Sequence, residues 1–206
     1  MTTPVIVGTY RRRAHIEDCL RSIDKHLKGI GDLAFVDDSG DAEHVEWLTQ
    51  YGKVVALDGQ GYREAMTAAC EVAAGRECFW IEEDFTLLSD IDLDGLSEIL
   101  YHRPYLAQVV LLRGPHFPPE HQHGGVIAAL EARGHKFTCV NGIIEHTACF
   151  SANPSLWRGE VWSAGWPYGR WSEEIKGRQL ISQGYRFGYL PGVCTEHHGQ
   201  RVGHGY

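Results

Sequence analysis

Short apolar runs alternate with amphipathic stretches through the first half of the chain. An apolar run without polar alternation is typical of a buried strand, and apolar residues at every third or fourth position indicate one face of a helix. Within 14–28, four apolar residues recur at intervals of three or four, as on one face of a helix: Ile16, Leu20, Ile23 and Leu27. The same reasoning predicts strands at 4–10, 33–38, 53–57 and 78–84, with helices at 14–28, 39–52 and 62–75.

The predicted order of strand, helix, strand, helix, strand, helix, strand indicates an α/β fold. Such alternation is typical of a mostly parallel sheet with helices on both faces, and its ligands bind outside the carboxyl ends of the strands. Polar residues follow three of the predicted strands: Thr9, Tyr10 and the arginines 11–13; Asp37 and Asp38; and Glu82, Glu83 and Asp84. We therefore expect a nucleotide site along one edge of the sheet.

The second half of the chain is less regular and is predicted to include a small antiparallel region. The pattern predicts a strand at 108–114, a loop rich in Pro, His and Gly at 115–125, a short helix at 126–134, an antiparallel pair at 137–140 and 146–152 around a turn at 141–145, a helix at 170–184, a last strand region at 185–194 and a polar tail at 195–206. No repeat or linker is evident, so we expect one domain over 1–206, with a nucleotide-binding half at 1–90 and an acceptor-binding half at 91–206.

Composition and charge narrow the class of protein. The chain has 206 residues, of which 43% are hydrophobic and 22% charged, values typical of a globular protein with one core. No apolar run approaches the roughly 18 to 20 residues that span a bilayer, and the N-terminal apolar segment precedes the basic one, the reverse of a secretory signal. The six scattered cysteines favour reduced thiols, and the net charge of −8 disfavours extensive wrapping of nucleic acid. We expect a cytoplasmic protein without a membrane segment.

Three consecutive acids, Glu82, Glu83 and Asp84, end the apolar run that begins at Cys78. Like charges a few ångströms apart raise one another's pKa, so such a cluster at the edge of a core favours a bound cation. Carboxylate oxygens suit Mg²⁺ or Mn²⁺, which also neutralise a diphosphate. The alternative is that the acids solvate a loop or cap the next helix, but the polar residues at the other strand ends favour the metal site.

Four segments resemble the GT-A glycosyltransferases in their order and spacing: VIVGTYRRRAHIEDCLRSI, LAFVDDSGD, YREAMTAACEVAAGRECFWIEED and a late EHHG. They are most similar to the large inverting class, glycosyltransferase family 2, whose pattern reads T-Y-N-R, V-D-D-G-S and then D-x-D or D-D. The resemblance covers residues 4–90 and, with fewer matches, 146–199. It implies a GT-A, Rossmann-like domain that uses Mn²⁺ or Mg²⁺ and a nucleoside-diphosphate sugar, with a uracil-like base, as donor.

The resemblance assigns donor-binding roles to residues of the nucleotide-binding half. Thr9 and Tyr10 match the pair that frames the nucleobase, and Arg12 takes the place of the class's arginine. Asp38 matches the aspartate that hydrogen-bonds the base edge, while Arg63 matches a helix arginine that faces the nucleotide. A helix cap or a turn is the alternative role for the Asp37–Asp38 pair.

The same resemblance places the ribose and metal contacts. Glu83 would lie against the ribose, Asp84 would ligate the metal, and His197 matches the histidine of an H-x-G element that returns to the metal. A neutral imidazole is a suitable ligand for Mn²⁺, although histidines of a surface tail are the alternative. The chain departs from the class in two places, because glutamates replace the first aspartates and DSG replaces DGS.

A carboxylate base is required for an inverting transfer, since the acceptor hydroxyl must lose its proton as it attacks the sugar. The segment WSEEI, which opens the predicted helix 170–184, contains Glu173 and Glu174. The resemblance aligns Glu174 with the catalytic acid of the class, and the choice between the two glutamates stays open. The alternative is that Ser172 caps the helix and the acids favour its N-terminal dipole.

Other assignments remain possible from the sequence. A sugar-1-phosphate nucleotidyltransferase would carry G-x-G-T-R and a lysine, whereas VGTYRRR lacks the first glycine and the lysine. A non-catalytic nucleotide-sugar-binding module is a second alternative. Five aromatic residues at 157–171 could pack in the core or stack on sugars and bases. The acceptor could be a soluble sugar, a protein or a modified DNA base.

Overall fold

The computed structural model describes residues 2–199, which form twelve strands and eight helices; residues 200–206, the end of the predicted polar tail, lie outside the described residues. The strands are β1 (Thr3–Thr9), β2 (Leu27–Lys28), β3 (Ile30–Asp37), β4 (Lys53–Ala56), β5 (Cys78–Glu82), β6 (Phe85–Leu87), β7 (Ile91–Asp92), β8 (Leu106–Arg113), β9 (Phe137–Val140), β10 (Ile143–His146), β11 (Ser155–Trp157) and β12 (Arg186–His197). The helices are α1 (Arg13–His26), α2 (Ala42–Leu48), α3 (Tyr62–Ala73), α4 (Leu93–His102), α5 (Pro118–His123), α6 (Val126–Glu131), α7 (Gly159–Ser163) and α8 (Ser172–Ser182).

One sheet connects ten of the strands in the order β4-β3-β1-β5-β11-β8-β12-β10-β9, with β6 paired to the end of β12. β4, β3, β1 and β5 are parallel neighbours, and β8 is parallel to β12. β11 runs antiparallel to both β5 and β8, so β5 and β8 have the same direction. Six strands therefore end at one edge of the sheet, which brings strand ends from both halves of the chain together.

The predicted α/β class is confirmed by this sheet and by the helices on its two faces. Along β1, Val5 and Val7 pack on one side with α1 and α4, whereas Ile6 packs on the other side with α3. Successive strand residues point to opposite faces, and because both faces are covered the strand is apolar throughout. Within residues 2–199, no helix has both the length and the apolar character needed to cross a bilayer.

The strands and helices predicted for the first half are all present, within a few residues of their predicted bounds. The helix predicted at 39–52 is shorter, because α2 begins after Asp41, whose carboxylate accepts hydrogen bonds from two amides of the first turn. Asp41 rather than Asp37 or Asp38 is thus the helix cap. The carboxylate of Asp37 accepts a hydrogen bond from the amide of Ser39, as a turn aspartate does.

The second half differs from its prediction in several places. The antiparallel pair is β9 with β10, so the second strand takes three of its four residues from the predicted turn 141–145 and ends at His146, where the predicted strand began. The turn itself is Asn141–Gly142, whose positive φ angles of 44° and 80° are typical of a two-residue Asn-Gly hairpin. The predicted loop 115–125 contains α5, and the last strand extends to His197. Over the whole described range, the short elements β2, β6, β7, β11 and α7, and the longer α4, are absent from the prediction.

Candidate active site

The ends of β1, β3 and β5 are joined by hydrogen bonds between polar side chains. Thr9, at the end of β1, donates its hydroxyl to Asp37 Oδ1 at 2.9 Å. The amide of Tyr10 donates to Glu83 Oε2 at 2.6 Å, and the Tyr10 side chain is partly exposed at the rim. The structure therefore brings together these residues, which the sequence placed along one edge of the sheet.

Arg12 lies between two of the carboxylates that follow β5. Its Nε donates to Glu83 Oε1 at 2.6 Å, and its terminal Nη2 lies 3.1 Å from Asp84 Oδ2. Glu83 is only 2% exposed, and burial raises its pKa to about 7 although the Tyr10 amide and Arg12 act in the opposite direction. Both oxygens of Glu83 are thus bonded within the protein, while Arg12 keeps a partly exposed guanidinium beside Asp84.

The buried carboxylate of Asp84 meets His197, which the pairing of β6 with β12 returns to the end of β5. Asp84 Oδ2 lies 3.5 Å from His197 Nε2, and the Asp84 carbonyl accepts from the His198 amide at 2.8 Å. A Cβ at Gly199 would lie 2.7 Å from His197 Nε2 and closer still to Asp84 Oδ2, so only glycine fits. Burial opposes ionisation, but His197 and Arg12 lower the pKa of Asp84 below its ordinary value.

These residues fit a divalent cation whose ligands come partly from the protein and partly from a bound substrate. Asp84 Oδ1 and His197 Nδ1 are buried without a hydrogen-bond partner among the described residues. Residues 2–199 contain no group of three or more His, Cys, Asp or Glu side chains arranged around one point. Mg²⁺ and related cations often take one or two protein ligands, with phosphate and water completing the shell. An aspartate and a histidine suit that kind of site.

His116, in the predicted Pro, His and Gly-rich loop, is a neighbour of this site that the sequence did not indicate. Its ring centroid lies 4.1 Å from that of His197, whose ring also stacks on Phe85 at 4.4 Å. The motif His121-x-His123 is more conspicuous in the sequence, yet both of its histidines are exposed on α5. The sequence signal that could have indicated this segment is Glu120. An acid in the first turn of a helix that starts with proline can accept hydrogen bonds from the backbone just before the helix, where His116 lies.

Asp38 binds backbone that leads into α3. Its Oδ1 accepts from the Gln60 amide at 2.7 Å, and its Oδ2 accepts from the Gly61 amide at 2.6 Å. The side chain is buried, so its direct contacts are with the loop at 58–61 rather than with the surface. Asp38 therefore ties the end of β3 to the start of α3.

Arg63 lies on the first turn of α3, near the aromatic segment at 157–171. Its guanidinium packs over the ring of Tyr168 at 4.1 Å and pairs with Glu64. Tyr168 is 80% exposed and Trp171 64% exposed, so both are at the surface. The remaining aromatic residues of this region, Trp157, Trp162 and Trp166, are buried and stack on one another. Packing in the core is therefore confirmed for these three residues, and stacking on a sugar or base stays a prediction for the exposed Tyr168 and Trp171.

Two adjacent glutamates at the start of α8 have different surroundings. Glu174 is 57% exposed and pairs with Arg178 one turn along the helix. Glu173 accepts a hydrogen bond from the Tyr62 hydroxyl at 2.9 Å, and burial raises the pKa of Glu173. Burial, Asp84 and Glu173 together raise the pKa of Glu82 well above its ordinary range. The capping role considered for Ser172 is wrong, because the helix starts after Trp171 without a side-chain cap.

Solved structures share this arrangement of strands and helices over nearly the whole chain. A mannosyltransferase, PcManGT from Pyrobaculum calidifontis, in complex with GDP-Man and Mn²⁺, is 18% identical with a TM-score of 0.69, covering 98% of this chain and 58% of its own. GalNAc-T7 with UDP, GalNAc and Mn²⁺ is 13% identical with a TM-score of 0.71, over 98% and 45%. The chain has the GT-A fold.

A third structure, S. aureus TarS 1-349 in complex with UDP-GlcNAc, is 15% identical with a TM-score of 0.66 and covers all of this chain and 62% of its own. No family model matches the sequence, and no curated protein matches it. At these identities the likeness extends to the fold. The chain spans 45% to 62% of the lengths of these three proteins.

Proposed function

We propose that the protein is a metal-dependent glycosyltransferase that moves a sugar from a nucleoside diphosphate, with UDP as the leaving group, to an acceptor hydroxyl with inversion at the anomeric carbon. The observation that carries this proposal is the meeting of Asp84, His197 and Gly199 at the carboxyl end of β5. Three solved structures with the same fold carry nucleotide sugars or their parts, two of them with Mn²⁺. A donor diphosphate at this edge would meet the same kind of cation site.

In this proposal, cationic groups stabilise the negative charge that develops on the departing diphosphate. The bound cation, held by Asp84 and His197, would supply positive charge to the phosphate oxygens as they gain negative charge. Arg12 already lies 3.1 Å from Asp84 and adds a fixed positive charge at the same place. Arg63 is proposed to face the nucleotide from the start of α3. Preorganised charge of this kind stabilises a transition state more than a mobile solvent does.

The proton of the acceptor hydroxyl passes to a carboxylate of α8 as the acceptor oxygen bonds to the anomeric carbon. The surroundings of the two candidates favour Glu173 over Glu174, because Glu173 accepts a hydrogen bond from Tyr62 at the start of α3 while Glu174 pairs with Arg178. A raised pKa is also suited to a general base, since a stronger base accepts the proton more readily. Glu173 is accordingly our first choice, and Glu174 the second.

The nucleoside is proposed to occupy the ends of β1 and β3. Thr9 and Tyr10 would line the nucleobase side, and Glu83 would lie beside the ribose while holding Arg12. Asp38 would act on the base site from the end of β3, either at the base edge or through the loop it binds. We propose that the acceptor is a molecule with a free hydroxyl group that binds beside the exposed Tyr168 and Trp171.

A donor screen tests the proposed function. UDP-, GDP- and ADP-sugars are incubated with Mn²⁺ or with a chelator, and the released nucleoside diphosphate is measured. We expect release from a UDP-sugar with Mn²⁺ only, and its loss in Asp84→Asn. Asp90→Asn is the matched control, because Asp90 is exposed and pairs with Lys28 away from the site.

Two outcomes would replace the proposal. Nucleotide binding that is indifferent to Mn²⁺, without release of diphosphate from any donor, would favour a non-catalytic binding module. Formation of a nucleotide sugar from UTP and a sugar-1-phosphate would favour a nucleotidyltransferase. Either result is read directly from the parent protein, with Asp84→Asn as the check that the site is the one described.

A further inference from the structure

The ring of His197 packs against two other rings. Phe85 stacks on one face with a centroid distance of 4.4 Å and an interplanar angle of 8°. His116 contacts His197 at 4.1 Å with an interplanar angle of 44°. A side chain that packs against two rings has few alternative rotamers, so its ring nitrogens keep one direction. In this case the direction points Nε2 at Asp84.

The segment that carries His116 is fixed by a buried ion pair. Arg113 donates from both terminal nitrogens to Glu120, at 2.6 Å and 2.7 Å. Glu120 Oε2 also accepts from the amides of His116 at 2.8 Å and Phe117 at 3.0 Å. These bonds lower the pKa of Glu120 to about 2 against the opposing effect of burial. The carboxylate thus organises the backbone on which the His116 ring is mounted.

The same segment is also joined to the strand that ends in His197. Arg113 is the register partner of Thr195 in the parallel pair of β8 and β12. The amide of Gly114 donates to the carbonyl of Thr195 at 3.1 Å. His116 and His197 therefore extend from neighbouring strand ends, each two residues beyond this hydrogen bond. Their separation is set by backbone bonds as well as by ring packing.

From this geometry we propose that His116 is a positioning residue, which orients His197 for the divalent cation and is itself held by the Arg113–Glu120 ion pair. The proposal rests on the metal-dependent function proposed above. His116 is not placed as a ligand, because the described residues contain no group of three metal-binding side chains around one point. Replacement of residues that orient metal ligands typically changes metal affinity by about 10- to 100-fold.

The affinity for Mn²⁺ in the presence of saturating UDP tests this role, measured from the electron paramagnetic resonance signal of free Mn²⁺. His116→Ala removes the ring and should weaken Mn²⁺ binding about 10-fold or more. His116→Phe keeps a ring but no nitrogen and should restore binding to within about 3-fold of the parent. His123→Ala is the control for loss of a histidine from α5, and it should leave the affinity unchanged.

Three results would overturn the proposal. Equal losses in His116→Ala and His116→Phe would show that a ring nitrogen is needed, as for a ligand. Unchanged affinity in both would show that His197 needs no support from this ring. A loss of metal-free UDP affinity in His116→Ala would indicate a direct contact with the nucleotide. In these three cases the parent protein still binds Mn²⁺, so the proposed function is not contradicted. A parent protein that does not bind Mn²⁺ would contradict both the role of His116 and the proposed function.

The ion pair is tested with a second variant. Glu120→Gln keeps the size of the side chain but loses the charge that fixes Arg113 and the His116 amide. We expect weaker Mn²⁺ binding, and no further loss when His116→Ala is added, because both changes act through the same ring. Circular dichroism and thermal unfolding confirm that each variant is folded. If the losses of Mn²⁺ affinity in the two single variants add in the double variant, the ion pair does not act through His116.

Discussion

At the scale of single residues, neighbours in this chain receive unlike environments because strand and helix geometry directs them to different sides. Glu83 is bonded on both oxygens to Arg12 and Tyr10, whereas Asp84 keeps one buried oxygen without a partner among the described residues. Glu173 and Glu174 differ in the same way, one towards Tyr62 and the other towards solvent. Tests of chemistry at this site therefore gain most from paired variants of adjacent acids.

The base is tested by Glu173→Gln beside Glu174→Gln. A general base acts in the chemical step, so its loss should lower kcat by about 10²- to 10⁴-fold and leave donor Kd nearly unchanged. We expect this loss for Glu173→Gln and a change of a few-fold at most for Glu174→Gln. The measurement is steady-state turnover with calorimetric donor binding. The reverse order would make Glu174 the base, and full activity in both variants would exclude these two carboxylates.

Gly199 provides a test of the space beside Asp84. Because a Cβ there would overlap the carboxylate and approach His197, Gly199→Ala should weaken Mn²⁺ binding by about 10-fold through displaced ligands. Gly95→Ala is the matched control, since its Cβ would meet its nearest atom at an ordinary 3.5 Å. Equal Mn²⁺ titrations of the parent and Gly199→Ala would contradict the tight packing described here.

His146 should make the stability of the fold sensitive to acid. It is buried against Phe137 and Tyr189, and burial lowers its pKa to about 4. The unfolded chain has a histidine pKa of about 6.5, so it binds more protons than the folded state between these values, and stability falls as the pH decreases through that range. A shift of this size corresponds to about 3 kcal/mol once the pH is below 4.

Urea unfolding at pH 7 and pH 5 of the parent and of His146→Phe measures this effect. The phenylalanine cannot be protonated, so the variant should lose less stability than the parent over the same interval. Because other acids titrate in this range, the quantity that decides is the difference between the two proteins. The same pH dependence in both would show that His146 does not contribute.

At the scale of elements, the sequence predicted the long ones other than α4 and missed the shortest strands, for a physical reason. α1 and α3 carry a full apolar face, and β1 and β3 are buried on both sides, so their patterns are local. β6 and β11 have three residues each and exist through pairing with distant strands. The position of His197 follows from β6, which is why the H-x-G resemblance, rather than periodicity, indicated it.

The connection between β3 and α3 is tested by Asp38→Ala. Since Asp38 binds the amides of Gln60 and Gly61, its removal should loosen the loop before α3 and weaken every nucleotide alike. We expect UDP and ADP to lose about 1–3 kcal/mol each, the scale of a lost charged hydrogen bond, with their affinity ratio unchanged. Calorimetry measures both, and Asp32→Ala, an exposed acid at the other end of β3, is the control. A selective loss of UDP affinity would instead make Asp38 a reader of the base edge.

At the scale of the whole molecule, the candidate site depends on strand ends that are far apart in sequence. The parallel strands β1, β3 and β5 supply Thr9, Asp37 and the acids after Glu82, while β8 and β12 add Arg113 and His197. The insertion of β11 antiparallel between β5 and β8 keeps all these ends at one edge. Apolar runs indicated the first three ends and the resemblance indicated His197, but the place of Arg113 beside them required the order of the sheet.

Because the proposed site joins both halves of the sheet, ligands bound there should stabilise the entire fold. A ligand at about 100 times its Kd adds about 2.7 kcal/mol, which for a chain of this size raises Tm by roughly 5–10 °C. Mn²⁺ alone should give a small shift, since Asp84 and His197 are its only ligands proposed from the described residues, and Mn²⁺ with UDP should exceed the sum of the separate shifts. Thermal unfolding with each ligand and with both, repeated in Asp84→Asn, measures this coupling. In the variant the shift with both should fall to that of UDP alone. A shift with Mn²⁺ alone as large as with both would mean that the protein holds the cation without the diphosphate, contrary to a shared site.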